Sequence, residues 1–188
     1  MRVIAGTLRR RQLKSVPGLT VRPTPDRLRE ALFNVLAPRI EGAVFIDAYA
    51  GSGAVGIEAV SRGASHVVLI EHNLRAITVI RENLKALAIE SIVTVVRGKA
   101  PRLLPNYQAD IVFLDPPYDQ VKEYTDSLLA IAQTACRLAV AQHASSLTLE
   151  PQYGSLQKTR VLRQGDNSLS FYEASDEHPS HSSPSDQS

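Results

Sequence analysis

An α/β fold is predicted for this chain: a mostly parallel sheet covered by helices on both faces, ending in an antiparallel hairpin. A small hairpin-and-helix arm is expected before it. Three observations predict this. From residue 43 onward, short apolar runs alternate with amphipathic segments, the pattern of strands joined in parallel by helical crossovers. The first run ends in Asp47 and passes through Gly51-Ser52-Gly53-Ala54-Val55-Gly56 into a helix-like pattern, so a backbone turn approaches something closely at a helix N-terminus. The last two runs flank Gly165-Asp166-Asn167, the turn chemistry of a β-hairpin.

The arm, residues 1–41, begins with candidate strands at 2–5 and 11–14 around Gly6-Thr7-Leu8-Arg9-Arg10. Pro17-Gly18 marks a turn, and Arg22-Pro23-Thr24-Pro25 an extended piece, because a residue preceding proline avoids the helical region. Thr24 as N-cap, with Pro25 at the first helical position, starts a helix. Leu28, Ala31, Leu32, Val35 and Leu36 form its apolar face, with Arg27, Glu30 and Asn34 off that stripe.

The main domain, residues 42–173, has candidate strands at 43–48, 66–71, 92–96, 109–114 and 145–150, then 158–163 and 168–173 in the hairpin. One helical stripe runs through Ile77, Ile80, Leu84 and Leu87, with Asn73 as its cap. Another runs through Leu128, Ile131, Ala132, Ala135, Leu138 and Ala139. Residues 174–188, rich in Ser, Pro, Asp and His, are expected to be disordered.

Composition narrows the function. With 188 residues, 44% apolar and 21% charged, the chain has the make-up of an ordinary soluble domain with a proper core. No apolar run approaches membrane-spanning length, and Met1-Arg2-Val3-Ile4 does not read as a signal-peptide start. The lone Cys136 excludes an internal disulfide and a cysteine-rich zinc site; it is read as a small core residue within a helical pattern. The five histidines lack metal-ligand spacing, so no metal is expected. The net charge of +2 is unevenly spread: residues 1–41 carry +6, residues 42–172 are neutral, and residues 173–188 carry −4. A basic arm on a neutral domain suits a phosphate-backbone partner, although a solvated basic face reads the same way.

Two stretches carry the chemistry. Asp47 stands four residues before Gly51, where a carboxylate is poorly placed for a pyrophosphate but well placed for a cationic amino group. Glu71 closes the second strand, where it can accept both hydroxyls of a ribose. An ammonium, a ribose and no phosphate describe S-adenosylmethionine. The second stretch is Ile111-Val112-Phe113-Leu114-Asp115-Pro116-Pro117-Tyr118, a buried strand running into Asp-Pro-Pro-Tyr at the carboxyl edge of the sheet. The prolines hold the backbone extended, leaving Asp115 and the Pro116 carbonyl as acceptors for an exocyclic amine. Tyr118 offers a flat face for an unstacked base.

On these residues the chain resembles a class I S-adenosylmethionine-dependent methyltransferase with a Rossmann-like sheet. More closely it resembles the RsmD family, which methylates guanine N2 of 16S ribosomal RNA. The likeness spans residues 1 to about 172. It rests on Arg2-Val3-Ile4-Ala5-Gly6, on Arg22-Pro23-Thr24 followed by Asp26-Arg27-Leu28-Arg29-Glu30-Ala31-Leu32-Phe33-Asn34, on Ala50 through Ala59 with Ser61-Arg62-Gly63-Ala64, and on Asp115-Pro116-Pro117-Tyr118. The resemblance implies that Asp47, Ala50, Gly51, Ser52, Gly53 and Glu71 bind the cofactor. It implies that Asp115 and Pro116 grip the amine, that Tyr118 packs on the base, and that Arg10, Arg22 and Arg27 contact RNA. The partner would be 16S rRNA, in the small ribosomal subunit or its assembly intermediate, met by a monomer in the cytoplasm. Two departures stand out. Arg9-Arg10-Arg11 replaces the family's frequent Arg-Gly-Arg, and Lys99 stands where many relatives place an acceptor for adenine, which would leave adenine to the backbone. Three alternatives stay open on the residues alone: an N6-adenine methyltransferase, an NAD-dependent dehydrogenase and a non-catalytic rRNA assembly factor.

Overall fold

Strands β1 (Val44–Asp47), β2 (His66–Glu71), β3 (Val93–Arg97), β4 (Ile111–Leu114) and β5 (Leu138–Ala144) pair in parallel. Strands β6 (Gln152–Tyr153), β7 (Leu156–Gln164) and β8 (Asn167–Ala174) are antiparallel. Among the described residues they make one sheet in the order β3-β2-β1-β4-β5-β8-β7-β6. The computed structural model describes residues 1–17, 26–117 and 119–174. Gly18 of the expected Pro17-Gly18 turn, the extended piece at Arg22-Pro23-Thr24-Pro25 with its cap, Tyr118, and the disorder expected of the tail beyond residue 174 lie outside the described residues.

Alternation along the strands builds two cores. Phe45, Leu69, Ile111, Phe113 and Val140 face helices α1 (Asp26–Ile40), α2 (Ala54–Ser61) and α3 (Leu74–Leu87). Ile46, Ile70, Val112, Leu114 and Ala141 face α4 (Ala100–Leu103) and α5 (Val121–Ile131). Both faces being covered is why the parallel strands read as continuous apolar runs. Helix α2 is buried on every side, which is why its sequence is apolar all round apart from Glu58 and Ser61. Asn73 caps α3 as expected, accepting from the amides of Arg75 and Ala76. None of the described helices is long and apolar enough to cross a membrane.

Several expectations need correction. The arm's two strands reduce to a single antiparallel bridge, Arg2 with Gln12. The amides that would extend a ladder go elsewhere: Ile4 and Ala5 donate to the Glu58 carboxylate, and Leu8 to the Ser61 hydroxyl. Helix α1 turns Leu28, Arg29, Leu32, Phe33, Leu36 and Ile40 inward, leaving Ala31 and Val35 half-buried. No strand forms at 145–150. The sheet strand is Leu138–Ala144, so Leu138 and Ala139 extend no helix. Alanine-rich sequence favours a helix locally, but this segment sits between β4 and β8, which take its backbone hydrogen bonds on both sides and override that preference. Cys136 is buried as expected, but in the connector before β5, where burial pushes its thiol up to about 11. The C-terminal hairpin forms with a two-residue turn at Gly165-Asp166, and Asn167 is already in the ladder.

Candidate active site

The chain crosses from β1 to β2 on one side and returns to β4 on the other, so the carboxyl ends of β1 and β4 open a crevice where the strand order reverses. Register brings the predicted segments together there. Asp47 lies opposite Phe113, two residues before Asp115, and opposite Leu69, two residues before Glu71.

The loop after β1 is stitched to both neighbours. The Ala48 amide donates to the Phe113 carbonyl (3.0 Å) and the Ala50 amide to the Ile70 carbonyl (3.0 Å). Gly51 (φ +56°) and Gly53 (φ +81°) adopt left-handed backbone, and a Cβ on Gly51 would meet open space, so the backbone there is bare to a ligand. Gly56 serves packing instead: a Cβ there would come within 2.3 Å of the Leu69 side chain. Ala50 is buried and Ser52 half-buried.

Asp47 is 1% exposed. Its Oδ2 accepts from the Gly56 amide at 3.1 Å, in the first turn of α2. Burial pushes its carboxyl up to about 7, the Gly56 amide opposes that rise, and the nearby Glu71 adds to it. Glu71 Oε2 accepts from the Gly51 amide (2.9 Å), and Oε1 from the amides of His72 and Asn73 (2.8 Å each). It therefore also holds the cofactor-loop candidate against the end of β2.

Beyond β4, Asp115 is half-buried, Pro116 buried and Pro117 exposed. The Pro117 carbonyl accepts from the Gln120 amide at 2.9 Å, leading into α5. Tyr118 lies outside the described residues, as does Arg22. Arg10 and Arg27 are exposed. Arg10 takes a left-handed φ of 69° and, with Arg2, Arg9, Asp26 and Glu30, lines a cavity of about 300 Å³ on the arm. Lys99 is exposed at the N-terminus of α4. Among the described residues no cluster of three His, Cys, Asp or Glu is arranged to hold a metal.

Three features have no counterpart in the sequence-based expectations. Tyr49 donates to Glu123 Oε2 and hydrogen-bonds Ser127 Oγ, both at 2.8 Å, tying the β1 loop to the helix after Asp115-Pro116. Burial raises its phenol further above the usual range. The buried Glu58 accepts from Arg62 Nε at 2.8 Å, with the buried Arg29 guanidinium 4.0 Å away, and so pins the arm to α2. Asn83 bonds both the arm and the β1 loop. The signal for the last two was a polar residue on an apolar helical stripe; for Tyr49 there was none.

The model of the family described as conserved hypothetical protein 95 matches residues 1–173. Ribosomal RNA small subunit methyltransferase D of Escherichia coli K12 is 36% identical over 171 residues, covering 87% of this chain and 86% of that protein. The YlbH protein of Bacillus subtilis is 34% identical over 184 residues, covering 92% of this chain and 98% of its own. Among solved structures, a hypothetical protein of Thermus thermophilus superposes with a TM-score of 0.78 at 31% identity, covering 93% and 99% of the two chains.

Proposed function

The chain belongs to the conserved hypothetical protein 95 family, the RsmD family of rRNA methyltransferases, and we propose that it methylates guanine N2 of 16S rRNA using S-adenosylmethionine. The observation that carries this reading is the meeting of Asp47, Glu71 and Asp115-Pro116 at one sheet edge, set by the β1–β2 and β1–β4 registers. The 36% identity to an E. coli enzyme named as a small-subunit rRNA methyltransferase supports the substrate class.

The residues fit that cofactor. Asp47 is a buried carboxylate that no Lys, Arg or His among the described residues pairs with, and its raised pKa reflects a charge lacking compensation. A ligand ammonium would supply it. Gly51 leaves open space beside a left-handed backbone, which suits close approach of the ligand to the loop. In this reading Asp47, Ala50, Gly51, Ser52 and Gly53 hold the amino-acid end and Glu71 the ribose. When bound, the cofactor supplies an electrophilic methyl on sulfonium.

The protein's own contribution is then placement. The Asp115 carboxylate and the Pro116 carbonyl accept the two N–H bonds of the guanine amine, turning its lone pair toward the methyl. The amine nitrogen would take up the methyl that the bound cofactor supplies, and its surplus proton would pass to the Asp115 carboxylate already accepting from it or to water. Little acid–base assistance is needed, so orientation and exclusion of water dominate the rate. Tyr118 stacks on the base, while Arg10, Arg22 and Arg27 in the 1–41 arm neutralise RNA phosphates. The substrate form would be the small subunit or its assembly intermediate, met by a monomer in the cytoplasm.

The test incubates the protein with methyl-labelled cofactor and either 16S rRNA or small-subunit particles, then digests to nucleosides. Label on N2-methylguanosine is expected. Label on N6-methyladenosine, or none in either substrate, sinks the assignment.

A further inference from the structure

Asn83 stands on the inward stripe of α3 beside the core residues Ile80 and Leu84, and is 2% exposed. A primary amide in that position costs stability unless its polar groups are used. All are. Oδ1 accepts from the Lys14 amide at 2.8 Å, while Nδ2 donates to the Lys14 carbonyl at 3.0 Å and to the Ser52 carbonyl at 3.1 Å. The Lys14 N–H can only donate, which settles which end of the amide is oxygen. One side chain thus serves as a strand-like partner for the arm and holds the tip of the β1 loop.

Leu13 beside Lys14 is buried in the core, but the neighbouring polar contacts of the arm are peripheral. The Lys14–Glu82 ion pair is exposed, as is the bond from Arg11 to the Ala86 carbonyl. Ser52 lies between Gly51 and Gly53, and its peptide plane is held from the N–H side by the bond from the Gly53 amide to the Ala50 carbonyl (2.7 Å). Asn83 holds the same plane from the carbonyl side, and it does so in the same geometry that docks Lys14.

We infer that Asn83 is a positioning residue through which docking of the arm sets the β1 loop, so that arm closure and ligand binding at the loop are linked. This rests on the cofactor reading of the loop. If the loop is competent only with the arm docked, a ligand that selects the competent form protects the arm against opening, by a factor of up to 1 + [L]/Kd. The effect runs both ways, so an undocked arm weakens the ligand equally. If loop and arm are independent, the factor is one.

Amide hydrogen exchange on the full chain with S-adenosylhomocysteine reads this directly, because the Leu13 and Lys14 amides are hydrogen-bonded in the docked arm. At roughly 100 times Kd, exchange at Leu13 and Lys14 in the unmodified protein is expected to slow by about fivefold or more. In Asn83→Ala the ligand still slows exchange in residues 48–53, but changes the arm by less than about twofold. Asn83→Asp gives a second variant of the same size; it keeps the acceptor for Lys14 but turns an oxygen toward two carbonyls, and is expected to uncouple likewise. An unmodified arm that ignores a ligand its loop binds overturns the linkage alone, as do variants that keep full coupling. Absence of binding heat in calorimetry of the unmodified protein overturns the cofactor reading and the linkage with it.

Discussion

Two buried carboxylates touch helix α2, and their surroundings differ. Glu58, fully buried, is answered on all sides: two arm amides, Arg62 at 2.8 Å and the Arg29 guanidinium at 4.0 Å. Asp47, equally buried, accepts from the Gly56 amide, and the charged group that acts on it is another acid, Glu71. A buried charge with its cations in place is a joint; one without them takes up a proton or awaits a cation from outside. The arm is therefore fastened to the domain by internally matched charge, while the sheet edge keeps a mismatch that the ammonium of the proposed cofactor would resolve.

The sheet edge is broken furthest at Asp115. Asp115→Ala should lower kcat by about a thousandfold or more while cofactor Kd stays within about threefold, since orientation of the amine is lost and the loop is untouched. Activity restored merely by saturating cofactor would contradict this role. The joint side is broken at Glu58. Glu58→Ala leaves the buried Arg29 with Asp26 and the Arg2 carbonyl but without Glu58, unseats the Ile4 and Ala5 amides, and should cost about 3–5 kcal/mol in denaturant unfolding; a loss under about 1 kcal/mol would show the joint to be decorative.

Asp47→Asn separates the two carboxylates most cleanly. It should weaken cofactor binding by about 10- to 100-fold, while leaving the ligand-free protein as stable at neutral pH or more so, because an uncompensated buried charge is removed. The smallest effect is a pH dependence with a defined sign. A carboxyl raised from 3.8 to about 7 favours the folded state most at low pH, and that contribution declines as pH climbs through 7. Binding an ammonium needs the ionised form, so cofactor affinity should rise about tenfold from pH 5.5 to pH 7. Calorimetry on Asp47→Asn should give a flat profile; a slope equal to the parent's would assign the titration to another group.

The residues of the sheet edge were legible in the sequence because each lies at the end of a β-branched run or in a glycine loop, where local chemistry announces itself. Asp47, Gly51, Gly53, Glu71 and Asp115 all sit in such places. What stabilises the edge was not legible. Tyr49 reaches α5 across 74 residues, Asn83 reaches Lys14 across 69, and Glu58 reaches Ile4 across 54. No periodicity within a segment encodes partners that far away. Leu138–Ala144 shows the same limit from the other side, since its alanine-rich run favours a helix until β4 and β8 flank it.

Sequence alone determined the α/β class, most of the strands, the family and the residues gathered at the edge, because alternation, glycine spacing and Asp-Pro-Pro are local properties of the chain. Tertiary structure alone decided which carboxylate is matched by cations and which is not. That depends on how α1, α2 and α3 pack the arm against the sheet, and charge compensation is a property of neighbours in space.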